Sequence, residues 1–257
     1  MIFDSLFPTT THPKICKNNG FGSKEYSLVR KWSKKADKYP CGSNEYYSAP
    51  FHARENALET GAKLYNLALK AKQSDKPFCF TFSGEDSKTS ISFLKYINKS
   101  DSAKTNKAQN DFLNLINSFN DPKQQADALL GLALHTIQDF FAHVVKVDLY
   151  CCGNNYYNRE NYKLKTEYKR INAFKTDELM GLKNNDIEDN IRVMSWRFRE
   201  TCRITSAISE KWENDFLILS ITAKPTGDLK FYNRIKKSLG NKMYWTIAYR
   251  EYEWKIE

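Results

Sequence analysis

DPKQQADALLGLALHTIQDFFAHVVK, Asp121 to Lys146, opens with a capping residue followed by proline at the first helical position and contains no later helix breaker. Leu129, Leu130, Leu132, Leu134, Ile137, Phe140, Phe141, Val144 and Val145 leave little of its circumference polar, which is the composition of an interior helix. His135, Asp139 and His143 nevertheless sit on it at i, i+4 and i+8. At about 100° per residue the three fan across only about 80°, so they share one face. Burying two imidazoles and a carboxylate is costly unless something pairs with them. A divalent metal fits that mixture of donors best. A hydrogen-bonded core histidine, or a simple His135–Asp139 pair, is the competing reading.

Around this helix the chain has room for a substantial core. It has 257 residues, 15 Tyr and 16 Phe, which excludes a disordered chain. No apolar run is long enough for a transmembrane segment. The opening, MIFDSLFPTTTHPK, lacks the basic and apolar regions of a signal peptide, so the expected location is cytoplasmic, or secreted if a leader was removed. Six cysteines (Cys16, Cys41, Cys79, Cys151, Cys152 and Cys202) show no C-x-x-C spacing and fit either thiols or disulfides. The net charge of +10 favours anionic partners such as nucleic acid, acidic lipid surfaces or phosphorylated substrates.

In chain order, residues 1–22 read as an irregular lead segment carrying His12. Residues 23–38 read as an amphipathic helix with Tyr26, Val29, Trp32 and Ala36 inward, stopped at Pro40. A helix to about Lys72 carries Leu58, Ala62, Tyr65 and Leu69 on one stripe. Phe78, Phe80 and Phe82 alternate like a short strand. Modest helices are expected near 87–98 and 105–119, an irregular basic stretch over 147–184, and a long helix near 186–216. Met243, Trp245, Ile247 and Tyr249 alternate, predicting a small C-terminal β-hairpin within 228–257. The fold class expected is mainly α around a buried central helix, with residues 1–257 as a single domain.

The four histidines are His12, His52, His135 and His143. Asp37 ends a helix beside a loop, and His52 stands at the mouth of the next helix. With His135 and Asp139 they supply two imidazoles and two carboxylates, a common ligand set for zinc. Such a set also suits neighbouring metals that hydrolyse phosphate esters. Trp32-x-x-x-Ala36-Asp37-x-x-Pro40, then Phe51-His52, then Ala133-Leu134-His135-x-x-x-Asp139-x-x-Ala142-His143, resembles the zinc-dependent phospholipase C and S1/P1 nuclease superfamily. The ALHTIQDFFAH wording is similar to the phospholipase C-like branch and its Het-C-like relatives. Coverage runs from His12 to His143.

That resemblance implies a mostly α-helical phospholipase C/P1 nuclease-like domain holding two or three zinc ions. It implies that Asp37, His52, His135 and Asp139 hold a first zinc, that Asp139 bridges to a second also bound by His12, and that His143 begins a third site. Asp37 becomes the catalytic general base. The family completes its third site with a downstream histidine, and none follows His143 here. That site is therefore incomplete, or completed by acids such as Asp148, Asp186, Glu188 or Asp189. The implied activity is metal-dependent phosphodiester hydrolysis, phospholipase C-like and acting on phospholipids. A P1-like single-strand nuclease and a non-catalytic Het-C-like interaction protein with a residual zinc site are the alternatives. Residues 156–175 and 228–250 interleave cations with aromatics, which suits an anionic membrane surface or single-stranded nucleic acid, or simply a solvated basic face.

Overall fold

A computed structural model of the chain describes residues 11–36, 51, 56–83, 89–94, 102–152, 162–170, 191–237 and 243–257. The described residues are mainly helical. In chain order they form α1 (Thr11–Asn18), α2 (Ser27–Lys35), α3 (Ala57–Lys72), α4 (Ser102–Asn117) and α5 (Pro122–His143), then β1 (Val144–Cys152) and β2 (Tyr162–Arg170), then α6 (Ile191–Glu213), β3 (Ile221–Lys237) and β4 (Met243–Ile256). All strand pairs are antiparallel, in the order β2-β1-β4-β3.

The central helix begins as its sequence requires. Asp121 Oδ1 accepts the Lys123 N–H at 2.9 Å, and Asp121 O accepts the Gln125 N–H at 3.1 Å. Every residue from Gln125 to Phe141 is buried. Helix α2 crosses α5 at Gly131. A Cβ built there would lie 2.5 Å from Val29 O, 2.7 Å from Trp32 Cβ and 3.0 Å from Ser33 N, so only glycine admits the crossing. Helix α3 lies against α5, and α6 packs Thr201, Ile204, Thr205, Ile208 and Trp212 into the interior.

Two polar residues, the buried Gln125 and the half-buried Asn117, dock extended backbone. Gln125 accepts the Phe78 N–H at 2.8 Å and donates to Phe78 O at 2.9 Å, while Asn117 brackets Phe80 in the same way at 2.8 and 2.9 Å. Side-chain amides thus take the place of a neighbouring strand, satisfying backbone groups that burial would otherwise leave costly. The alternating phenylalanines are therefore only briefly strand-like: one parallel bridge joins Thr81 to Ser90.

Several expectations change. Among the described residues, the modest helix expected near 87–98 is only a 3-10 turn at Ser92–Leu94. Residues 11–18 form a helix instead of an irregular lead, because Ile15 and Cys16 give that turn a buried face. The central helix stops at His143, and the stretch expected to be irregular holds β1 and β2. Val145, Val147 and Leu149 alternate with Lys146, Asp148 and Tyr150, a two-residue period that outweighs continuation of the helix. Finally, the C-terminal hairpin starts earlier, at Ile221, and forms half of a four-stranded sheet.

Candidate metal centre

His12, from α1, lies against His135 and Asp139, from α5, although the chain separates them by more than a hundred residues. Their ring or carboxylate ligand atoms all lie within 4.8 Å of one another, and all three residues are buried. His12 Nε2 is 3.3 Å from Asp139 Oδ1, and His135 Nε2 is 3.6 Å from Asp139 Oδ2. The two imidazole rings are tilted by 49° to one another, with centroids 4.3 Å apart.

Several local features produce this convergence. Because Gly131 lets α2 approach, the Ser33 carbonyl reaches His135 one turn further along α5, with Nδ1 and O 2.9 Å apart. A carbonyl can only accept, so His135 carries its proton on Nδ1 and turns Nε2 to Asp139. Helix α1 is returned to α2 through Gly20, whose φ of 101° is the left-handed region glycine tolerates. His12 Nδ1 lies 2.8 Å from Gln138 Oε1, so its Nε2 also faces Asp139.

The donor set fits a metal. Each imidazole has its far nitrogen held by an oxygen acceptor, the outer-shell arrangement that orients a ligating histidine. In a tetrahedral site with bonds of about 2.0–2.1 Å, neighbouring ligand atoms stand about 3.3–3.4 Å apart. The separation of 3.3 Å from His12 to Oδ1 matches that edge, that of 3.6 Å from His135 to Oδ2 lies just outside it, and both exceed a direct charge-assisted hydrogen bond of about 2.7–2.9 Å. This buried His–His–Asp group can hold a metal ion.

Of the residues singled out in the sequence, the structure thus brings together His12, His135 and Asp139. Asp37 and His52 lie outside the described residues, as do Asp186, Glu188 and Asp189. His143 ends α5, and of it only the backbone is described; Asp148 lies within β1. Sequence reasoning missed Ser33, Gln138 and Thr205. Gln138 was open to detection, since a buried amide in an apolar helix needs partners; Ser33 acts through its carbonyl, which every residue has.

No protein-family model matches the chain, and neither does a curated protein or a solved structure. No helix among the described residues is long and apolar enough to cross a membrane.

Proposed function

We propose that the chain is a zinc-dependent phosphodiester hydrolase of the phospholipase C-like kind, acting on phospholipids. The observation that carries this reading is the arrival of His12 at the His135–Asp139 pair. It adds a third buried donor from a distant helix, as a metal site needs and a helix-internal ion pair does not. The sequence resemblance supplies the choice of zinc, with two or three ions, and of a phosphodiester substrate.

His12, His135 and Asp139 would hold the metal. When bound, zinc lowers the pKa of a coordinated water and polarises phosphoryl oxygens. The protein's own contributions can be read from the residues. Ser33 O and Gln138 Oε1 hold the two rings in orientation, and Asp139 supplies negative charge that compensates a dication. Burial of every α5 residue from Gln125 to Phe141 strengthens those electrostatics by excluding water. Asp37 is the proposed general base, taking a proton from the attacking water.

A second reading has its own observation. No histidine follows His143, so the third site of the resembled family lacks its usual ligands. A non-catalytic interaction protein with a residual zinc site accommodates that gap. The separating experiment is an assay of zinc-loaded protein on a phosphatidylcholine-type lipid and on a single-stranded oligonucleotide. Hydrolysis of the lipid, lost by orders of magnitude in Asp139→Asn with the fold intact, is the expected result. Cleavage of the oligonucleotide alone would select the P1-like nuclease, and cleavage of neither would leave the non-catalytic reading.

A further inference from the structure

Around His12 runs a chain of hydrogen bonds whose direction is fixed from its far end. The Thr201 carbonyl, in α6, can only accept, and the Thr205 hydroxyl donates to it at 2.7 Å. The proton of Thr205 is thereby committed, so its oxygen receives the Gln138 Nε2–H at 3.1 Å. The same amide nitrogen also donates to Cys16 Sγ at 3.4 Å. Both amide protons are then engaged, and Oε1 is the end of Gln138 left for His12 Nδ1, 2.8 Å away.

On the metal reading above, we propose that Gln138 and Thr205 are positioning residues that set the tautomer of His12, keeping its proton on Nδ1 and its Nε2 lone pair toward Asp139. The two histidines differ in how this is achieved. His135 is oriented by a backbone carbonyl, which offers no alternative. His12 is oriented by an amide, and an amide can turn over. Reversed, Gln138 would present Nε2 to His12 Nδ1 and select the ring form with its proton on Nε2, the nitrogen that must ligate. The Thr205 hydroxyl opposes that reversal, because to donate to Gln138 Oε1 it would have to give up its bond to the Thr201 carbonyl at 2.7 Å.

Thr205→Val keeps the buried, β-branched shape and deletes only the hydroxyl; Thr205→Ser restores it. Two readouts apply: zinc affinity by competition with a chromophoric chelator, and the 15N shifts of the His12 ring in metal-free protein at a pH where the ring is neutral. Thr205→Val should bind zinc about 10–100-fold more weakly, the usual cost of removing an outer-shell partner, and should move the His12 pattern toward the Nε2–H form. Thr205→Ser should recover both. Wild-type affinity and tautomer in Thr205→Val, or failure of Thr205→Ser to recover either, would overturn the proposal. Should wild-type protein take up no zinc, the metal reading fails by itself. The 15N shifts still decide the relay, for it if Thr205→Val changes the tautomer and against it if not.

Discussion

Cys16 lies in full burial one helical turn from His12, within reach of the Gln138 amide, and burial pushes its thiol up to about 11. At pH 8 roughly one part in a thousand is then thiolate, the reactive form. Cys16 is therefore a small, unreactive packing group against the Gln138 amide. Cys79 is exposed. A disulfide-exchange reagent at pH 8 should modify Cys79 promptly and Cys16 only as the protein unfolds; equally rapid labelling of both would contradict the burial of α1. At this scale the sequence was legible where donors share one helix. His135 and Asp139 stand four apart, so their common face follows from helical geometry alone. His12 entered as a candidate only through a family motif, since nothing local to Thr-Thr-His announces a buried ligand. Thr205 reads from its spacing only as part of the inward stripe of the long helix near 186–216, and its link to Gln138 waits on the packing of α6.

Among the elements, the crossing of α2 over α5 does most to shape the centre, because it brings Ser33 to His135. Gly131→Ala tests it. Alanine would gain about 1 kcal/mol of helix propensity. Against that stand contacts of 2.5 and 3.0 Å to the backbone of α2, which cannot rotate away. Overpacking of this kind costs about 1–3 kcal/mol, so a net loss of stability is expected in chemical denaturation. Displacing the Ser33 carbonyl should also weaken metal binding. A variant as stable as wild type, with unchanged zinc affinity, would show that the helices do not meet closely there. The start of α5 was readable from Asp121-Pro122, a local signal with a local cause. Its end was misread because Val144 and Val145 suit an apolar helix as well as a strand. The deciding partner, β4, lies about a hundred residues away and pairs with β1 from Val147 to Cys152.

For the whole molecule, the candidate metal group and the hydrogen bonds around it join α1, α2 through Ser33, α5, and α6 through Thr205. Away from it, Glu200 ties α6 to the end of the sheet, accepting from Trp254 Nε1 at 3.0 Å and from Arg203 at 2.8 Å. A cation bound to the folded state alone stabilises by mass action, and ligands left facing one another without it destabilise. Removing the metal with a chelator should therefore lower the melting temperature, with α1 loosening first, since its buried face is short. A melt unchanged after demonstrated metal removal would mean that hydrogen bonds alone hold the cluster. The helical class was legible from periodicity; the extent of the sheet was not, because its strands come from both sides of α6.

The central claim is that the His12–His135–Asp139 group is a metal site. Elemental analysis of protein purified without chelator, wild type beside a folded Asp139→Asn variant, tests it most directly. At least one zinc per chain in the wild type, lost or sharply reduced in the variant, is the predicted result; wild-type protein carrying no divalent metal, or a variant carrying as much, would contradict it.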